Sequence, residues 1–255
     1  MISARQLSKT YSGRAAVRGL TLDVSGELYG FLGPNGAGKT TTIKMMTGLL
    51  TPTAGSVSLN GIDLRRDPVA AKSQFSLVPE QPALYEKLTA TEFVDFYASA
   101  HRIPHRDAGR RTAQLFEIFE IRGIADDLIE SYSQGTKQKV ALSAALVHQP
   151  PILFLDEPTA GLDPVAARNL KDLLAGLVRK GTTIFMSTHI LEVAEKLCDR
   201  IGIIKEGELV AEGSLQELRQ RSERESGSLE EVFLQLTGTA PDRNVSAYLQ
   251  EDESC

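Results

Sequence analysis

Residues 28–48 read LYGFLGPNGAGKTTTIKMMTG, and their order decides the fold. LYGFL is a short apolar run with the composition of a buried strand. GPNGAGKT, residues 33–40, follows it, and KTTTIKMM then opens a helix. Strand, glycine-rich turn and helix in that order are the setting in which G-x-x-x-x-G-K-[ST] cradles phosphate groups. Gly33, Gly36 and Gly38 let the backbone curl until successive N–H groups face one point, where the helix N-terminus adds positive potential. Pro34, Asn35 and Ala37 complete the loop, and Thr41 continues the first helical turn. Lys39 is expected to neutralise the outer phosphates, and Thr40 to offer its hydroxyl to Mg²⁺.

Outward from this loop, strand-like runs cover residues 2–7 and 20–24 before it and 57–59 after it, a β-rich start of the chain. From 89 to about 121, TATEFVDFYASA and RTAQLFEIFE carry apolar residues at helical spacing with little β-branching, which predicts an inserted helical region extending to about 149. Strands resume at 152–155. Asp163 and Pro164 form an N-cap and first-turn proline for a helix ended by Gly181, and a strand follows at 183–186. Alternating strands and helices with short connections predict an α/β fold, a P-loop NTPase core with a mainly parallel sheet, an N-terminal antiparallel β region and an inserted helical subdomain. Ligands in such folds bind beyond the carboxyl ends of strands, so the functional loops should follow strands. One compact domain is expected over 1–218 and a tail over 219–255. In the tail, Ser228 and Glu231 form a capping box for a helix over 229–237 that docks Leu229, Val232, Phe233 and Leu236 on the domain, while the acidic EDESC at the end is expected to be disordered.

Two further strand tips carry polar groups. ILFLDEP, residues 152–158, ends an apolar strand in two acids, which a buried strand has no structural reason to do unless its tip meets a cation or water. Asp156 is expected to hold Mg²⁺ through its hydration shell, and Glu157 to orient or deprotonate an attacking water. MSTH, residues 186–189, offers His189, either as a satisfied surface residue or as a group reaching the terminal phosphate. A second glycine-marked helix start lies at SQGTKQK, residues 133–139, where Ser133 is either a plain cap or part of a second anion site.

The chain has 255 residues, 42% hydrophobic and 24% charged, with a net charge of -5. That balance argues against a protein that grips a nucleic-acid backbone, which needs a large positive field. The basic cluster of Arg102, His105, Arg106, Arg110 and Arg111 reads as a solvated helix face or a local docking patch. No apolar run approaches a membrane span, and the first residues lack a signal-peptide core. Two cysteines cannot make a disulfide framework, and Cys198 among apolar neighbours behaves as a small hydrophobe, so a reducing cytoplasm is expected.

Taken in order, the phosphate loop, SQGTKQK, LDEPTAGLD and the STH strand end resemble the ATP-binding subunit of an ABC transporter, over roughly residues 2–213. The resemblance implies ATP and Mg²⁺ as ligands, Tyr11 stacked on adenine, and catalysis by Lys39, Glu157 and His189. It implies that Ser133, Gln134 and Gly135 of the signature and Asp163 of the D-loop contact ATP held by a partner subunit, so that two copies or a similar subunit close around two nucleotides. The signature here is YSQGT in place of the frequent LSGGQ. Where that family carries a Mg²⁺-contacting glutamine, this chain has Glu80 with Gln81 beside it, and either could take the role. A separate integral membrane permease is implied, with Tyr85 and the residues to Thr91 as its docking surface and a peripheral place on the inner face of the cell membrane. The KQK and SLEEVFLQLTG segments resemble the export-type subfamily. A soluble ABC ATPase acting on ribosomes or DNA would share the catalytic motifs but usually has tandem domains or coiled coils, and a GTPase would carry an [NT]KxD motif, which is absent.

Overall fold

The computed structural model describes residues 1–221 and 229–237. β1 (Ile2–Tyr11) and β2 (Arg14–Val24) form a hairpin turned at Ser12 and Gly13, whose φ values of 45° and 83° meet the requirement of a two-residue I′ turn. Both strands are longer than the expected 2–7 and 20–24, because antiparallel pairing carries them on through Thr10 and Tyr11 of β1 and Arg14 to Ala16 of β2, which are exposed or half-buried. β3 (Leu28–Leu32) leads into α1 (Lys39–Met46), and β4 (Ala54–Leu59) and β5 (Ile62–Asp63) complete an antiparallel sheet of order β2-β1-β4-β5. After α2 (Pro68–Lys72) comes β6 (Phe75–Val78), a strand the sequence pattern does not reveal.

The helices α3 (Ala90–Ala100), α4 (His105–Ile118) and α5 (Gln134–Leu146) follow. Thr89 and Glu92 start α3 with a reciprocal capping box, and Ser133 caps α5. β7 (Ile152–Asp156), α6 (Pro164–Arg179), β8 (Thr183–Thr188), α7 (Leu191–Leu197) and the hairpin β9 (Arg200–Lys205) and β10 (Glu208–Gly213) then build the larger sheet, of order β10-β9-β3-β8-β7-β6. Every neighbouring pair in it is parallel except β9 with β10.

The period of two along buried strands sorts residues onto two faces. Leu28, Leu153, Leu155, Ile184 and Met186 face the helical layer of α3 to α6, while Tyr29, Phe31, Ile152, Phe154 and Phe185 face α1 and the antiparallel sheet. On that second face Phe185 lies 5.2 Å from Phe31 and 5.9 Å from Phe154 between ring centroids. With Phe185 fully buried, its truncation to Ala would cost about 3–5 kcal/mol. A third cluster seats the C-terminal helices: Leu218 of α8 (Leu215–Arg221) and Leu229 and Val232 of α9 (Leu229–Thr237) pack on Leu32, Ile201 and Ile203. The expected domain end at 218 therefore falls inside a packed helix. Ser228 and the terminal EDESC lie outside the described residues. Burial pushes the Cys198 thiol up to about 12, in keeping with a packed, unreactive sulfur.

Candidate active site

Parallel pairing of β3, β8 and β7 brings the ends of three strands to one edge of the sheet, so Gly33, Glu157 and His189 emerge side by side. Two glycines there have no substitute. A Cβ on Gly33 would lie 2.5 Å from the Ile204 carbonyl oxygen, and Gly38 combines a φ of 109° with a Cβ position 2.6 Å from the Ala16 carbonyl oxygen. Gly38 is the N-cap of α1 and no side chain caps that helix, which leaves its first-turn N–H groups directed at the loop. Lys39 folds back over the loop and donates from Nζ to the Gly33 carbonyl at 2.8 Å and to the Pro34 carbonyl at 3.4 Å.

The two acids after β7 differ in environment. Asp156 is buried and accepts a 2.5 Å hydrogen bond from the Ser187 hydroxyl at Oδ1. Glu157 has a φ of 49°, which swings it off the strand direction and toward Lys39 and His189. Its Oε1 lies 3.8 Å from Lys39 Nζ and 2.9 Å from His189 Nδ1, and its Oε2 accepts from the His189 backbone N–H at 3.3 Å. Lys39 and Glu157 are nearly buried, whereas the His189 side chain is 55% exposed, so the imidazole forms the open wall.

Lys39, Thr40, Thr41, Glu80, Glu157 and His189 line a cleft of about 380 Å³. A second cavity of about 630 Å³ is lined by Tyr11, Arg14, Pro34 and Ala37 among others. Ala16, Asn35 and Gly36 border both, so the two form one groove running from Tyr11, over the phosphate loop, to Glu157. Tyr11 is half exposed, with Lys9 Nζ 5.3 Å from its ring centroid. Glu80 borders the cleft and Gln81 does not, a distinction that adjacent residues in a loop do not disclose from sequence. Asp156 is not among the residues lining the cleft and stands next to Glu157, which is.

The second glycine-marked helix start is elsewhere. Ser133 caps α5 by accepting from the Thr136 N–H at 3.2 Å, and neither Ser133, Gln134, Gly135 nor Asp163 lines the groove. The start of α5 instead meets the turn before α6. A Cβ on Gly135 would meet the Gly161 carbonyl oxygen at 2.3 Å, and Lys139 Nζ lies 2.7 Å from Asp163 Oδ2. The Ala166 N–H, donating to the capping carboxylate, and then Lys139 hold Asp163 below the usual carboxylate range. Sequence reasoning missed Ser187, which touches both acids, and Arg14 and Ala16 in the groove. Their places depend on strand register and on the β1–β2 turn.

The family model described as ABC transporter matches residues 17–160. The linearmycin resistance ATP-binding protein LnrL of Bacillus subtilis (strain 168) is 37% identical over 222 residues, covering 87% of this chain and 71% of that protein. A solved structure described as the ATP-binding subunit of an ABC transporter superposes with a TM-score of 0.89 at 35% identity, over 93% of this chain and 99% of the other. A dimeric ATP-binding cassette in a post-hydrolysis state, bound to ADP and Pi, gives a TM-score of 0.78 at 27% identity, over 84% of this chain and 99% of that one.

Proposed function

This chain belongs to the ABC transporter family, and on that premise we propose that it is the ATP-hydrolysing subunit of a transporter, powering export through a separate membrane permease. The convergence of Lys39, Glu157 and His189 in the phosphate-loop cleft carries the reading. In this reading adenine stacks on Tyr11, and the phosphates lie along Asn35, Gly36, Ala37 and Gly38 with Lys39, Thr40 and Thr41 at the terminal group. The oxygen donors Thr40, Asp156 and Glu80 suit Mg²⁺, which takes few protein carboxylates and keeps several waters. Among the described residues no group of three or more His, Cys, Asp and Glu side chains could hold a metal ion. When bound, Mg²⁺ neutralises phosphate charge.

Hydrolysis transfers the terminal phosphoryl group to water. Glu157 accepts the proton of the attacking water as its oxygen bonds to phosphorus, and the bond to the bridging oxygen breaks to leave ADP. His189 orients the Glu157 carboxylate through Nδ1 and the backbone N–H, and Lys39 balances charge on the phosphates. The group of Ser133, Gln134, Gly135 and Asp163 lies off the chain's own groove, which supports its use on the nucleotide of a second copy or a similar subunit. The dimeric ADP-bound relative supports the same reading.

No helix of the described residues is long and apolar enough to cross a membrane. In this reading a separate permease supplies the pathway and the chain sits on the inner face. Tyr85, 60% exposed and packed edge-on against Phe93 and Phe96, suits the docking surface. The resistance protein LnrL among the relatives supports export. The test is Glu157→Gln: ATP binding persists, hydrolysis falls about 100-fold or more, and light scattering detects an ATP-bound dimer. Hydrolysis at the parent rate would overturn the assignment of Glu157.

A further inference from the structure

Ser187 is fully buried, and nothing in the mechanism above uses it. It is the register partner of Asp156 across the parallel pair β7 and β8, which sets its hydroxyl beside that carboxylate. A serine hydroxyl has one proton to give and two lone pairs to receive with. Here the proton goes to Asp156 Oδ1 at 2.5 Å, and the oxygen accepts the Glu157 backbone N–H at 3.2 Å. The same N–H also reaches the Ser187 carbonyl at 3.2 Å. One residue therefore grips the side chain of the first acid and the backbone of the second.

Both grips answer a structural demand. Among the described residues Asp156 has no other hydrogen-bond donor, so without Ser187 its carboxylate has nothing to fix its rotation. With Oδ1 occupied, Oδ2 keeps its lone pairs for the water shell of a cation. Glu157 sits at a φ of 49°, a conformation that is strained for a non-glycine residue and persists only where the surroundings enforce it. The forked acceptor on Ser187 is that enforcement, and the conformation is what aims Glu157 at His189 and Lys39.

We propose that Ser187 is a positioning residue for the ATPase reaction, whose single hydroxyl sets the Mg²⁺-facing acid and the water-activating acid in register with each other. The inference rests on the reading of the cleft as an ATP and Mg²⁺ site. It assigns the serine of the STH segment a role distinct from that of His189, which acts on Glu157 from the open side.

The test compares Ser187→Ala, Ser187→Cys and Ser187→Thr in the full chain, measuring fluorescent ATP binding with excess EDTA and with Mg²⁺, the Mg²⁺ dependence of hydrolysis, and thermal melting. For Ser187→Ala and for the nearly isosteric Ser187→Cys, affinity in EDTA stays at the parent value. The gain in affinity on adding Mg²⁺ shrinks, and the Mg²⁺ concentration for half-maximal hydrolysis rises, each by about 10-fold or more, the scale of losing an outer-shell hydrogen bond to a ligand. Ser187→Thr, which keeps the hydroxyl, retains more of the Mg²⁺ response than Ser187→Cys. If Ser187→Ala fails to fold, Ser187→Cys decides alone. A Cys variant that melts like the parent and keeps the parent's Mg²⁺ response overturns the proposal, as does a Thr variant no better than Cys. A parent chain that neither binds nor hydrolyses ATP would instead remove the functional reading itself.

Discussion

The contact between Gly135 and Gly161 yields a stability prediction that can be worked from distances. Replacing Gly135 by Ala adds a carbon 2.3 Å from the Gly161 carbonyl oxygen, where ordinary contact begins near 3.4 Å, so the two loops must separate by about 1 Å. Backbone rather than a flexible side chain is the obstacle, and overpacking of that kind costs about 1–3 kcal/mol. Gly135 sits in the first turn of α5 at an ordinary φ, so Ala recovers some helix propensity and leaves a net loss of about 1–2 kcal/mol. For a chain of this size that lowers the melting temperature by about 2–8 °C. Gly109 is the control: it lies exposed within α4 with nothing within 4 Å of its Cβ position, and Gly109→Ala should raise the melting temperature by about 1–4 °C. Calorimetry at one scan rate measures both, and light scattering with ATP shows whether the displaced loop still supports pairing. A Gly135→Ala variant melting at or above the parent, beside a Gly109→Ala that rises, would refute the close approach.

Ser133→Arg should keep ATP binding while losing both hydrolysis and ATP-driven pairing, and normal turnover would contradict the trans assignment of the signature. Glu80→Ala should weaken the Mg²⁺ dependence of hydrolysis while Gln81→Ala leaves it unchanged; the reverse pattern would reassign the loop. His148 stacks on His101 with 3.6 Å between ring centroids, and burial, followed by His101 and Arg111, lowers its pKa to about 4. Folding therefore excludes a proton that the unfolded chain binds below about 6.5, so stability falls as pH drops from 6.5 toward 4. After allowance for partial solvent screening the loss by pH 5 is about 1 kcal/mol, and His148→Gln should flatten that part of a melting-versus-pH curve.

The phosphate loop is readable from sequence because its parts are contiguous: each glycine, Lys39 and Thr40 contribute to one local turn. Asp163 and Pro164 reveal the start of α6 for the same reason. β6 escapes notice because FSLV is four residues long and becomes a strand only by pairing with β7. The β9–β10 hairpin turns at Glu206 and Gly207, with φ values of 50° and 84°, a Glu-Gly pair that lacks the Asn-Gly or Asp-Gly cue. The outer half of β1 hides behind half-buried Lys9 and exposed Thr10, whose partners lie across the hairpin. In the site, the individual strand tips can be inferred one by one. The Lys39, Glu157 and His189 set and the Ser187 fork require the parallel register, which no local pattern encodes.

The meeting of Gly135 with Gly161 reaches further than stability. Backbone touches backbone there, Lys139 ties the same helix to Asp163, and buried Gln138, the residue between Lys137 and Lys139, donates to the Pro158 carbonyl at 3.4 Å. The first turn of α5 is thus rooted in the turn that follows Glu157. A shift of the first turn of α5 is therefore handed directly to the segment after Glu157, and the two travel as one piece.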